Sequence, residues 1–370
     1  MTSPSSQYHP PSHLQKQISQ KLLGLATGVV LFSLPLSGCA QVIQMQRQNI
    51  WGEQAYTTSV TLAQERQQRN LDPTDVIQFE FSVGGQGWSQ GLFSAPSDLT
   101  VDSQGRILVA DKGNNRVQVL DQEGEFLFYL GTRGTAPGQF RSPAGVSLNN
   151  QGQILVADST NNRIQIFSPE GEHLFHFGSA GFGKEQLFRP GGVMVDAQGQ
   201  IWVMDSGNNR VQVFTANGEY LRTLGTWGLG EGKFLVLGSV AFNQDGQVYV
   251  TDTGRSVVEV FDRNTQPVTT WGEYGWGLGQ LSAPNGITID HRGWIWIADT
   301  NNHRIQVFDQ SHEPLFAFGE VGFQLGQFSK PTSVSVTEDD RILVVDTDNS
   351  RIQVFQFLEL PPADSIRSQR

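Results

Sequence analysis

From residue 76 onward, short runs of alternating apolar residues return at a fixed step. The segments "ILVADKGNNRVQVL", "ILVADSTNNRIQIF", "IWVMDSGNNRVQVF", "VYVTDTGRSVVEVF", "IWIADTNNHRIQVF" and "ILVVDTDNSRIQVF" place their central acids at Asp111, Asp158, Asp205, Asp252, Asp299 and Asp346, 47 residues apart. A second column, Gly84, Gly131, Gly178, Gly225, Gly272 and Gly319, keeps the same step. Two unrelated columns sharing one period are not coincidence. Repeats of this length with strand-like content predict the blades of a propeller.

One repeat reads as four strands. Residues 144–149 form the first, 153–157 the second, 163–167 the third and 174–177 the fourth, with turns at Gly152 and Gly171. Apolar content on both faces is expected where each blade is sandwiched between two neighbours. The sixth repeat stops after its third strand, near Phe357, while Phe79, Phe81, Val83 and Gly84 align one period ahead of Phe126, Phe128, Leu130 and Gly131. The N-terminal strand is therefore expected to complete the last blade, and closure removes the exposed sheet edges that template aggregation. The expected class is all-β, a six-bladed β-propeller over residues 76–358.

Composition agrees: Gly is 41 of 370 and charged residues are 16%, the balance of a turn-rich β protein rather than a helical one. The ends have other textures. Residues 1–21 are polar with Lys16 and Lys21, and the apolar run "LLGLATGVVLFSLPL" follows over residues 22–36. At 15 residues the run is short of the roughly 20 that span a bilayer, and it fits a secretory signal segment. The single cysteine closes it in Leu36-Ser37-Gly38-Cys39, which resembles the bacterial lipobox. That resemblance implies a signal peptide over 1–38, a lipid on Cys39, and an extracytoplasmic, membrane-anchored protein of the periplasm or cell surface. Residues 39–75, with eight glutamines, read as a tether, and 359–370 as a C-terminal tail.

Charge narrows the partners. The formal net charge is −11, and −13 once residues 1–38, with two lysines and no acid, are removed. Such a chain lacks the field that draws phosphate backbones, so no nucleic-acid partner is expected. One cysteine excludes an internal disulfide and zinc sites built from several thiolates.

The pattern Pro-x-Gly-Val, Val-Asp-x-x-Gly, Val-Ala-Asp-x-x-Asn-Asn-Arg-Ile-Gln-Val-Phe and Phe-Gly resembles the NHL repeat over residues 76–357. The resemblance implies a six-bladed propeller without fixing an activity, since one fold hosts many functions. Arg116, Arg163, Arg210, Arg304 and Arg351 hold one column, which Val257 breaks in blade four. A residue repeated around a ring is expected to be a strut. The five donors of each arginine suit bridging carbonyls of the adjacent blade, and the column acids suit hydrogen bonds within their own tight loops.

Chemistry is sparse. Enzymes of similar fold place metal ligands around the central channel. The channel-facing columns here are expected to be Asp98, Gly145, Gly192, Ser239, Gly286 and Ser333, then Thr100, Ser147, Met194, Ala241, Thr288 and Ser335. One carboxylate and no histidine do not assemble a zinc or calcium site. His173, His176, His291, His303 and His312 fall in outer strands, turns and one loop, away from these columns. No catalytic residue, metal or cofactor is expected.

The surface carries the remaining signal. One face collects the short turns with sixteen acids. The other collects the long inter-blade loops with Lys112, Arg133, Arg141, Lys184, Arg189, Lys233, Arg255 and Lys330. Those loops also carry Trp88, Phe182, Trp227, Tyr274, Trp276 and Phe323, which with Arg255 are candidates for binding a partner. Against this, residues 88, 182, 276 and 323 keep the repeat spacing, which favours packing beneath their own loops. The expected function is a monomeric, non-catalytic propeller that binds a protein or peptide on its loop face, as scaffold or sensor. The alternatives are a divergent metal-dependent lyase or lactonase, and cell-wall glycan binding through the loop aromatics.

Overall fold

The computed structural model describes residues 72–358, so the signal segment, Cys39, the tether up to residue 71 and the tail from 359 lie outside the described residues. Six four-stranded antiparallel sheets follow one another along the chain. Blade one is Asp98–Val101, Ile107–Asp111, Arg116–Leu120 and Phe126–Leu130. Blade two, Pro143–Leu148, Ile154–Asp158, Arg163–Phe167 and His173–Phe177, lies within a residue of the expected bounds. A tight loop precedes the Arg-x-Gln strand of each blade that carries one. In blade two it is a single 3₁₀ turn, Ser159–Asn161, released by Asn162 in the left-handed region.

Burial follows the sandwich logic. The second and third strands of blades one and two are buried at every position, while their fourth strands alternate because one face meets solvent. The six apolar clusters each lie between neighbouring blades. One joins Leu108, Val117 and Val119 to Val146, Ile154 and Val156, and another joins Ile107 and Val109 to Leu343, Val345, Ile352 and Val354 across the ring closure.

Closure uses both ends of the chain. The strand Ile77–Gly84 pairs antiparallel with Arg351–Phe357, running from Ile77 opposite Phe357 to Gly84 opposite Arg351. A helical turn, Pro73–Val76, precedes it and is capped by Asp72, which accepts from Thr74 N at 2.9 Å.

A second repeated column anchors the inter-blade loops. Phe93, Phe140, Leu187, Phe234, Leu281 and Phe328 are all fully buried. Each contributes about 2–3 kcal/mol by burial. The glycine column makes room for them: Gly225 has φ +76°, and a Cβ there would lie 2.1 Å from the Phe234 ring. The loops are thus pinned at the root, which leaves their outer tips to other work.

Candidate interaction face

Every tip is held by a buried polar cluster built from the repeat. In blade one the Asp111 Oδ2 accepts from Arg116 Nε at 2.7 Å, Asn114 Nδ2 at 2.8 Å and Gln118 Nε2 at 3.1 Å, and Oδ1 accepts from Ser94 N at 2.8 Å. Arg116 Nη2 then donates to the Ser89 and Leu92 carbonyls at 2.8 and 3.0 Å. The same bonds recur around Asp158–Arg163, Asp205–Arg210, Asp299–Arg304 and Asp346–Arg351, with Arg Nε to Asp distances of 2.7–2.9 Å. Each carboxylate is wholly buried and meets a guanidinium, so its charge is compensated where it would otherwise be costly.

The arginines therefore act differently from expectation. They bind the loop that leads into their own blade, rather than a strand of the adjacent blade. The second Asn column makes the blade-to-blade link instead: Asn115 Oδ1 accepts from Ser142 N at 3.0 Å and Asn162 Oδ1 from Arg189 N at 2.9 Å. Sequence reasoning also missed the glutamines. Gln118, Gln165, Gln212, Gln306 and Gln353 are fully buried and complete the cluster. Their signal was a polar residue recurring inside strands buried on both faces.

The cluster fixes the backbone beneath each aromatic tip. Asn114, Asn208, Asn302 and Asn349 donate to the carbonyls of Gly87, Gly181, Gly275 and Gly322, the residues just before Trp88, Phe182, Trp276 and Phe323. Arg304 and Arg351 donate directly to the Trp276 and Phe323 carbonyls, both at 2.9 Å. The side chains themselves project outward. Trp88, Phe182, Trp227, Tyr274, Trp276 and Phe323 are between 65% and 81% exposed, so they do not pack beneath their loops. Leu229 occupies the matching position of the fourth loop and is equally exposed. Five of six symmetry-related tips thus carry a large apolar side chain, with Trp227, Tyr274 and Val321 beside three of them.

Blade four departs from the scheme in a compensated way. Val257 replaces the column arginine and Glu259 the column glutamine, and Arg255 turns inward to bond Glu259. Arg255 also donates to the carbonyls of Gly230 and Lys233 at 3.3 and 3.1 Å. It belongs to this buried cluster and not to the accessible loop surface, because the Glu259 carboxylate is fully buried and claims its charge. Lys112, Arg133, Arg141, Lys184, Arg189, Lys233 and Lys330 remain exposed on the loop face. On the opposite face, several of the sixteen acids cap their own turns, as Asp121 does for Glu123 N and Glu125 N at 3.1 and 2.8 Å.

A cavity of about 100 Å³ occupies the propeller axis, with residues from all six innermost strands in its wall. Asp98, Thr100, Gly192, Met194, Ser239, Gly286, Thr288, Ser333 and Ser335 line it as expected, but Gly145, Ser147 and Ala241 do not. Register shifts between Pro143 and Gly145, Leu237 and Val240, Pro284 and Ile287, and Pro331 and Ser333 break the strict alternation and bring in Ala144, Val146, Asn285 and Thr332. Gly145 is needed for a different reason: a Cβ there would sit 2.6 Å from Gly192 Cα of the next blade.

Asp98 accepts from Val146 N at 3.0 Å and from Ser333 Oγ at 2.8 Å, so one carboxylate ties blade one to blades two and six. Burial pushes its pKa up to about 6, against the lowering effect of those two bonds. Among the described residues no group of three or more His, Cys, Asp or Glu could hold a metal ion. A single carboxylate among hydroxyls does not fit the donor set of a zinc centre.

Comparison with known proteins agrees with this architecture. The NHL repeat model matches residues 93–120, 140–167, 189–214, 281–308 and 328–355. Blade four, with its rearranged cluster, is not among the matched segments. The chain is 40% identical over 65 residues to the human E3 ubiquitin-protein ligase TRIM32, covering 17% of this chain and 10% of that protein. It is 37% identical over 62 residues to protein lin-41 of Caenorhabditis elegans, covering 17% of this chain and 5% of that protein. It thus spans a small fraction of the length of these curated relatives. Among solved structures, a Bacteroides thetaiotaomicron protein of unknown function aligns with TM-score 0.62 at 14% identity, over 76% of each chain. A gluconolactonase from Xanthomonas campestris aligns with TM-score 0.55 at 15% identity, over 72% of this chain and 87% of that one. A streptogramin B lyase aligns with TM-score 0.54 at 15% identity, over 78% of this chain and 90% of that one. At such identities the likeness concerns the fold alone. The described residues form a six-bladed β-propeller in which five blades carry NHL repeats.

Proposed function

We propose that this protein is a lipid-anchored, extracytoplasmic, non-catalytic propeller that binds a protein or peptide partner on its inter-blade-loop face. The observation that carries the reading is the ring of exposed apolar tips on backbones held rigid by buried polar clusters. Large aromatic side chains fixed in advance lose little entropy on binding, and they serve as interface anchors. Their placement on separate loops around a ring suits an extended polypeptide surface better than one sugar ring. The lyase and gluconolactonase among the structural neighbours share the fold, but among the described residues the donors lining this channel do not supply a metal centre.

The test is selection of a displayed peptide library on the full chain in detergent. Peptides are expected to enrich, and Trp227→Ala with Trp276→Ala is expected to weaken them about tenfold or more without lowering Tm. Absence of enrichment, or peptides indifferent to both substitutions, would count against the reading. For the anchor, Cys39→Ser is expected to move the protein from the membrane fraction to the soluble fraction; retention in the membrane would remove the lipid from the proposal.

A further inference from the structure

The channel holds a charge that the architecture does not use. Positions equivalent to Asp98 carry Gly145, Gly192, Ser239, Gly286 and Ser333, all neutral. Neither contact demands the charge: an amide oxygen would still accept from Val146 N, and the Ser333 hydroxyl could turn to accept from the amide nitrogen. Every column carboxylate outside blade four is matched by an arginine at 2.7–2.9 Å, whereas among the described residues Asp98 has no ion-pair partner. A half-buried carboxylate among neutral groups is held at a cost that an arriving counter-charge would relieve.

Its position says where that counter-charge would come from. Asp98 is the first residue of its strand, directly after the loop that bears Trp88, and so stands at the loop-face end of the channel. Ser97, Asn285, Thr332 and Ser333 enter the cavity wall at the same level, and Thr100, Thr288 and Ser335 lie deeper. The mouth of the cavity therefore opens at the centre of the ring of exposed tips. Asp98 is the only titratable side chain in the cavity wall, whose remaining residues are hydroxyl-bearing, amide or apolar.

We propose that the loop-face partner inserts a primary ammonium group, on a lysine side chain or a polypeptide N-terminus, into the channel mouth, where the Asp98 carboxylate receives it. This rests on the loop-face reading and supplies the chemistry of its partner. A cavity of about 100 Å³ has room for an extended aliphatic amine. The Asp98 carboxylate accepts from Val146 N, Ser333 Oγ and the Leu99 N–H, which leaves one of its roughly four lone-pair sites for an incoming ammonium. The neighbouring hydroxyls accept the remaining N–H groups. The apolar tips then bury the flanking residues of the partner.

Methionine provides the readout, because Met194 and Met204 line the cavity while the chain's other two methionines, Met1 and Met45, belong to its N-terminal region. The full chain in detergent, labelled at the methionine methyls, is titrated at pH 8 with Nα-acetyl-lysine methylamide and separately with glycine amide. Saturable shifts of the Met194 and Met204 signals are expected, with the two probes separating a side-chain amine from a terminal one. Asp98→Asn, which keeps an amide oxygen for Val146 N and turns a donor toward the Ser333 hydroxyl, itself able to accept, is expected to weaken binding about tenfold or more. Lowering the pH to 5 in the wild-type protein is expected to do the same, since the carboxyl is raised to about 6 and becomes neutral below it. Unmoved methionine signals, or shifts indifferent to both Asp98→Asn and pH, would overturn the proposal. If library peptides still bind through Trp227 and Trp276 in that case, the loop-face function stands and the ammonium site alone is withdrawn.

Discussion

At the scale of single residues, the molecule is governed by where it permits charge. Asp205 shows the rule: its carboxylate is fully buried, yet it accepts from Arg210 Nε at 2.8 Å, Asn208 Nδ2 at 2.8 Å and Phe188 N at 2.7 Å. Arg210 passes the constraint outward through the Gly183 and Gln186 carbonyls, at 2.7 and 3.0 Å. Arg210→Ala leaves the acid without its counter-charge, while the Gln186 carbonyl keeps Gln212 Nε2 at 2.6 Å and the Gly183 carbonyl keeps only Gln186 N at 3.4 Å. The carbonyls can turn to water at the loop surface, whereas the buried acid cannot. The expected cost is about 1–3 kcal/mol, read by chemical denaturation. A neutral result would mean that the remaining hydrogen bonds to Asp205 suffice and that the arginine column is not a strut.

At the scale of the repeated element, blade four shows that the cluster can be rebuilt from other residues. Moving the arginine from 257 to 255 and turning the glutamine at 259 into Glu259 preserves a buried acid–guanidinium contact. Glu259 Oε2 also accepts from Thr270 Oγ1 at 2.9 Å, so the acid is tied to the outer strand of its own blade. Arg255→Ala alone strands two buried carboxylates, Asp252 and Glu259, and is expected to cost about 3–5 kcal/mol. Adding Glu259→Gln removes one of those charges, and a double-mutant cycle is expected to return a coupling of about 1–3 kcal/mol. Additive effects would show that the two residues are independent. The period of 47 made the blades, the closing strand and the Gly, Asp and Arg columns legible in the sequence. It could not tell the fate of the aromatics. Phe140 and Phe182 both belong to columns repeated at that step, yet one is fully buried and the other is 75% exposed. Repetition reports equivalent positions, and only the path of the loop decides whether the position faces core or solvent. The channel wall of blade two departs for a related reason: a bulge after Pro143 turns Ala144 and Val146, rather than Gly145 and Ser147, into the cavity.

At the scale of the whole molecule, the ring depends on a bond between chain ends rather than on the order in which the blades are connected. Phe79 packs edge-on against Phe355 at 5.6 Å between ring centres, and Phe81 and Val83 join the cluster shared by blades six and one. Leu358 N donates to Val76 O at 2.8 Å, so the two ends of the described chain lie side by side. Deleting residues 72–84 would strip the outer strand from blade six, expose the edge of Arg351–Phe357, and uncover Phe355 and Phe357. The missing apolar contacts belong to two blade interfaces, so the damage is not confined to one sheet. Such a protein is expected to lose its cooperative melting transition and to aggregate. A circular permutant that joins Leu358 to Pro73 through a short glycine linker, and begins instead at the exposed turn near Glu123, keeps every pairing. It is expected to melt within a few degrees of the parent, because the new connection spans ends that already touch and closing a short loop costs little entropy. A stable, cooperatively melting deletion variant would show that five complete blades and a three-stranded sixth hold the ring unaided. A permutant that fails to fold would show that the order of connection, and not closure alone, is what the N-terminal strand provides.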